Sequence, residues 1–325
     1  MFFAIMDNQE KLLKAIRTQL PKTASVIEEI ATVLNISYDA SHRRVSQKSK
    51  FSIEETILLC KHFSLSMDLL FTDNSKVIVE KTSEIHSLTD MDKYFKESAA
   101  KLEYFKNTSN AKMYYSAKDI PLFHTIGGTL LSKFKLYVWL NLLAGTQQED
   151  TFENFTPNRS LMEDSMKLKT VYENIEVHEI WNDTTINSSL QQIYYYYQAG
   201  LLSATNARLL CEDLKEIIQK VEERCCNKNS RFYLYYNELL ILNNNVLVTA
   251  PEKQSLFVPY TMLGYFITND KDTCSNTKTF FENQIKNSKS LNQSGTRDRK
   301  IFFNRALQKI NLYSQRIDNE LDLSL

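Results

Sequence analysis

No glycine precedes Gly127 in this chain, and its 325 residues include only 6 glycines and 5 prolines. Glycine supplies most positive-φ turns and proline most helix breaks, so few sites can interrupt a helix. The chain is therefore expected to be mainly α-helical. The same gap excludes a glycine-rich phosphate loop from the N-terminal region. Length suits two domains rather than one. A hydrophobic content of 43% with 24% charged residues fits a soluble globular protein.

The stretch from Ser25 to Lys50, SVIEEIATVLNISYDASHRRVSQKSK, reads as two short helices joined by a tight turn. Ser25 with Glu28 makes the S-x-x-E pattern of a capping box, which starts the first of them. Val26, Ile27, Ile30, Ala31 and Leu34 form its apolar stripe. Asn35 stands where the turn needs a residue tolerant of positive φ, and asparagine ranks after glycine there. Ile36 plugs the turn and Ser37 caps the next helix. On that helix Ala40, Ser41 and Val45 face the first one. Tyr38, Asp39, His42, Arg43, Ser46 and Gln47 point the other way.

The neighbours complete a small domain. NQEKLLKAIRTQL places Leu12, Leu13, Ile16 and Leu20 at helical spacing, and Pro21 ends that helix. Ser52 with Glu55 is a second capping box, followed by a helix with Ile53, Thr56, Ile57, Cys60 and Phe63 on one side. Ser66 caps a last short helix, SMDLLF. Net charge over the whole chain is zero, with 39 basic and 39 acidic residues. Between Lys11 and Lys50 eight basic residues face three acidic ones, so positive charge is concentrated here.

Five short helices, with the helix-turn-helix as the second and third, resemble the phage-repressor-like DNA-binding domain (Cro/C1-type, or XRE). The residues that carry the resemblance are Ala31, Leu34–Asn35–Ile36–Ser37, Val45, the Ser52–Glu55 start and the Ser66–Phe71 close, and it covers residues 8–72 only. Asn35 replaces the commoner turn glycine, and the SYDASHRR helix is similar to a variant associated with Bacteroidetes-type regulators. The resemblance implies a five-helix lambda-repressor-like fold and a transcriptional regulator that reads double-stranded operator DNA, as a homodimer. A recognition helix over 37–47 would enter the major groove. The base-reading candidates are Ser37, Tyr38, Asp39, His42, Arg43 and Gln47. Arg43 suits a bidentate contact to guanine. Arg44, Lys48 and Lys50 are the phosphate candidates, which position the protein without specifying sequence. A second reading makes this module an antitoxin- or adaptor-like unit that docks a protein partner.

The remainder divides into a linker over 73–88 and a helix-rich α+β domain over 89–325, with more helix than sheet and a small antiparallel sheet. Helices are expected over 89–107, 126–144, 161–173, 186–199, 204–226, 276–289 and 297–318, with loop over 145–160. The FYLYYNELLILNNNVLVTA segment reads as a β-hairpin with Asn243–Asn245 as its turn. Residues 255–268 add one or two strands. This part would dimerise or sense a signal, and whether a small-molecule or peptide effector exists is left open. Its tyrosines (Tyr194–Tyr197, Tyr233, Tyr235, Tyr236, Tyr260, Tyr265) line a pocket or pack helices on the sheet.

No enzymatic, metal or cofactor signature is read. His178-Glu179-Ile180-Trp181-Asn182 is an H-E-x-x-N that lacks the second histidine of a zinc site. His86 and His124 stand alone. Five cysteines without a C-x-x-C pattern point to reduced thiols and a cytoplasmic protein. No apolar run reaches the length of a membrane span, and the opening MFFAIM lacks the basic flank of a signal peptide.

Overall fold

The computed structural model describes residues 7–21, 23–71, 76–144, 150–239, 243–293 and 296–323. The opening MFFAIM and Lys22 fall outside them, as do 73–75 of the expected linker and 145–149 of the expected loop. Contacts divide the chain into two compact units, Met1–Ile78 and Val79–Leu325.

The regular elements of the first unit are helices among the described residues: α1 (Asn8–Gln19), α2 (Val26–Leu34), α3 (Tyr38–Val45), α4 (Ile53–His62) and α5 (Met67–Phe71). Its core is Leu12, Leu13 and Ile16 of α1, Ile30 of α2, and Leu59 and Cys60 of α4. Burial on α4 follows the expected stripe only at its end. Cys60 and Phe63 face the core with Leu59, while Ile53 is 71% exposed and Ile57 and Leu58 are also on the surface. Helical spacing groups residues into faces but cannot say which face meets the core.

In the second unit the sequence predicts a small antiparallel sheet, and the structure corrects this. Among the described residues the sheet has eight strands and is mixed, which makes the unit α/β. Its strands are β1 (Glu80–Lys81), β2 (Lys112–Ser116), β3 (Glu176–Trp181), β4 (Phe232–Tyr236), β5 (Val246–Thr249), β6 (Gln254–Pro259), β7 (Tyr265–Thr268) and β8 (Lys289–Ser290). Their spatial order is β1-β7-β6-β5-β2-β3-β4-β8. Strands β2, β3 and β4 are parallel to one another, and the other pairings are antiparallel. Strand β1 lies inside the expected linker, where Glu80 pairs with Ile267.

The expected hairpin over 231–250 does not form. Strands β4 and β5 are neighbours in sequence, but β2 and β3 lie between them in the sheet. Parallel pairing of β3 with β4 requires a long crossover, which α10 (Asn187–Gln198) and α11 (Ala204–Cys226) provide. Short-range turn signals are blind to such a partner.

The helices form two unequal layers. On one face lie α6 (Leu88–Lys106), α7 (Leu122–Thr125), α8 (Leu130–Leu143), α9 (Arg159–Asn174), α10, α11 and α13 (Thr296–Leu323). The other face is covered by α12 (Lys271–Lys286), whose Cys274 and Phe281 meet Tyr114, Ile180, Leu247 and Leu256. Alternation along β3 sends Val177 and Trp181 to the large core and Ile180 to the small one. Gly127 and Gly128, both at positive φ, turn the chain from α7 into α8. A Cβ on Gly127 would also meet the Lys169 side chain.

Glu179 shares its face with Val177 and Trp181 and is fully buried. Tyr172 Oη of α9 donates to its Oε1 at 2.8 Å, and Trp181 Nε1 donates to its Oε2 at 2.8 Å. His124 Nε2 of α7 lies 3.1–3.2 Å from both oxygens. Arg224 of α11 stacks 4.2 Å from the Phe232 ring centre and reaches Tyr172 Oη. Burial pushes the Glu179 carboxyl up, but His124 beside it and the donated hydrogen bonds outweigh that and hold it below the usual range. The H-E-x-x part of the H-E-x-x-N run thus lies in a strand that ends at Trp181, and His178 and Glu179 project from opposite faces of it. Among the described residues no group of three or more His, Cys, Asp or Glu is placed to hold a metal ion. Nor is any helix there long and apolar enough to cross a membrane.

Replacing Glu179 with Ala strands the donors of Tyr172 and Trp181 in a dry interior. Breaking a buried charged network of this kind costs about 3–5 kcal/mol. Urea unfolding of Glu179→Ala should show a loss of that size, and a loss below about 1 kcal/mol would remove the network from the stabilising interactions.

Candidate nucleic-acid interface

The turn between α2 and α3 is set by local chemistry. Ser25 Oγ accepts the Glu28 N–H at 3.4 Å and opens α2. Asn35 ends it in the left-handed region, at φ 52° and ψ 49°. The Ile36 N–H then reaches back to the Ala31 carbonyl at 3.0 Å, a Schellman-type closure. Ser37 Oγ accepts the Ala40 N–H at 3.3 Å and opens α3. Ser41 is fully buried where the two helices meet, and its hydroxyl donates to the Ile27 carbonyl at 2.7 Å.

The structure fixes α3 from three sides. Arg44 forks onto Glu55, with Nε 3.0 Å from Oε2 and Nη2 2.7 Å from Oε1, while its Nη1 donates to the Ala40 carbonyl. Glu55 Oε2 also accepts the Ser52 N–H at 3.0 Å, so one carboxylate closes the capping box of α4 and holds α3. Gln9 of α1 uses its whole amide on the last turn of α3 and the loop after it. Its Nε2 donates to the Arg44 and Ser49 carbonyls, and its Oε1 accepts the Phe51 N–H.

The candidate base readers are brought together on the outer side. Ser37, Tyr38, Asp39, His42 and Arg43 are exposed, Tyr38 by 53%. Ser37 also serves as the helix cap. The helix expected over 37–47 stops at Val45, and Gln47 sits beyond it at φ 62°. Its N–H bonds back to the Arg44 carbonyl at 3.0 Å, so Gln47 belongs to the turn that ends α3. The phosphate candidates separate. Lys48 is exposed, Lys50 is paired with the Asp7 carboxylate, and Arg44 is engaged by Glu55 inside the unit.

Sequence reading missed the roles of Gln9, Arg44 and Glu55. The capping box marked Glu55 as a helix start, but nothing in the spacing joins it to a residue eleven positions earlier. Neighbouring arginines thus take different parts, Arg44 holding the helix and Arg43 facing outward.

Comparison of the chain with protein-family models, with curated proteins and with solved structures gave no match.

Burial pushes the Glu55 carboxyl up, but the hydrogen bonds from Arg44 and the Ser52 N–H outweigh it and hold the carboxyl below the usual glutamate range. A depressed folded-state pKa contributes stability that is present above the unfolded value and lost as pH falls through the folded one. Unfolding of the N-terminal unit should therefore become easier as pH drops below the ordinary glutamate range. In Arg44→Met that acid sensitivity should flatten and the neutral-pH stability should fall. Thermal melts across an acid pH series check both.

Proposed function

We propose that this chain is a sequence-specific DNA-binding regulator that reads the major groove with α3 and acts as a homodimer. The observation that supports the reading best is the split of α3. Its inner side is tied down by Ser41, Val45 and Arg44, and its N-terminal outer side carries Tyr38, Asp39, His42 and Arg43 free of the core. A recognition helix needs that arrangement, because N-terminal side chains reach base edges while the rest of the unit crosses the backbone. Arg43 has the fork geometry for guanine O6 and N7. Asp39, four residues before it on the same face, either accepts from cytosine or orients the guanidinium. One such module reads few base pairs, and two copies on a pseudo-palindrome double the contact. The second unit would then hold the dimer or carry a signal. A signal changes DNA affinity only by favouring one of two states.

The exposed Ile53, Ile57 and Leu58 on α4 favour a second reading, in which this unit docks a protein partner.

Selection of bound genomic fragments with the purified chain tests the first reading. It predicts one enriched motif and an affinity that falls steeply with salt. Arg43→Ala should lose about 1–3 kcal/mol of discrimination at one base pair. Lys48→Ala should weaken all sequences alike and lower the salt slope by about 1. Fragments retained with no base preference at low salt, together with a stable co-purifying protein, would select the second reading.

A further inference from the structure

The second unit holds a cavity of about 110 Å³ at the carboxyl end of β2. Its walls come from distant parts of the chain. Asp119 lies in the turn after β2, Lys135 and Trp139 are one turn apart on α8, and Ser188 and Gln192 are one turn apart on α10. Asn244 precedes β5, and Leu263 and Tyr265 come from the turn and strand after β6. Crevices beyond the carboxyl ends of strands are the usual ligand positions in open α/β sheets. Here β2 has a parallel neighbour on one side and an antiparallel one on the other, so the sheet changes character at this cavity.

The two charges on its wall are not paired with each other. Lys135 is 6% exposed, and its ammonium has one hydrogen-bond partner among the described residues, Gln192 Oε1 at 2.7 Å. An ammonium has three donors, and a buried one is costly unless it is paired. No carboxylate of the described residues lies within ion-pair distance of it. Burial accordingly pushes its pKa down to about 8, against a partial lift from Asp119. Asp119 is held from behind. The Ser188 hydroxyl donates to its Oδ1, the Asn244 amide stands 3.5 Å from its Oδ2, and its own N–H donates to Asn244 Oδ1 at 3.1 Å. A cation and an anion thus line the same small space, each positioned and not ion-paired with the other. Tyr115, Trp139, Leu263 and Tyr265 add aromatic and apolar lining.

We propose that this cavity binds a small zwitterion of the α-amino-acid class, its carboxylate on the Lys135 ammonium and its amine on the Asp119 carboxylate. The ligand completes both charges at once, which a simple carboxylic acid or a simple amine does not. Its body lies against Trp139 and Tyr265. The inference is independent of the DNA reading, because binding is measured without DNA.

The test uses the full chain and the common protein amino acids one at a time, with acetate, propionate and isovalerate as matched probes lacking the amine. Thermal melting and titration calorimetry at neutral pH read the binding. At least one amino acid should bind saturably, and its amine-free counterpart should bind at least tenfold more weakly. Lys135→Met keeps the apolar stem and should weaken binding at least tenfold while the protein still melts cooperatively. Asp119→Asn should erase the preference for the amino acid over its carboxylic acid. Three results overturn the proposal: no saturable binding by any amino acid, unchanged affinity in Lys135→Met, or equal affinity for the acids with and without the amine. Should Lys135→Met fail to fold, Gln192→Leu, which removes the group holding the ammonium, is to lower affinity in the same direction, and unchanged binding there counts against the site.

Discussion

A carboxylate with no access to water sits in β3, the middle one of the three parallel strands. Desolvating an ionised glutamate is so unfavourable that its neighbours must supply donors from every side. Around Glu179 those donors come from α7, α9 and β3 itself, with Arg224 of α11 closing the ring behind Tyr172. Hydrogen bonds are directional, so this one side chain fixes how those helices lie on β3 where apolar packing alone would tolerate sliding. Helix α7 is four residues long and owes its position to His124 in the network and Phe123 stacked on Tyr172. It carries Leu122 and Thr125 into the wall of the Lys135 cavity, and the glycine pair after it launches α8.

Two buried charges in the same unit are thus handled in opposite ways. Glu179 is saturated with partners and closed off. Lys135 has one partner and faces a cavity. Buried polar groups are nearly always satisfied, so a half-satisfied one beside open space calls for an explanation that a saturated one does not. The tyrosines divide in the same fashion. Tyr196 packs among Phe134 and Tyr137, while Tyr115 and Tyr265 border the cavity.

The N-terminal unit uses polar contacts to free a surface. Gln9, Ser41 and the Arg44–Glu55 fork all act on the inner side or the trailing loop of α3. With the helix held from behind, the side chains of Tyr38, Asp39, His42 and Arg43 make no hydrogen bond or ion pair among the described residues. Rigid support under an exposed polar face is what the proposed base reading would require, since misplaced side chains cannot form bidentate contacts. The separation of Arg43 from Arg44 follows from helix geometry, because adjacent residues point about 100° apart.

What the sequence determined by itself was local. The capping serines at 25, 37 and 52, the left-handed Asn35 and the long helices of the second unit were all legible, because each depends on atoms within one or two turns. Strand β3 was not legible. Two glutamates and a histidine interrupt the apolar pattern of EVHEIW, and only burial on both faces with donors from α7 and α9 makes it an interior strand. The separation of β4 from β5, the outward turn of Ile53 and Ile57, the Arg44–Glu55 fork and the meeting of Asp119 with Lys135 were likewise decided by the tertiary structure. Each depends on contacts with parts of the chain that no local periodicity relates, and the free energy that selects them comes from burying a shared core.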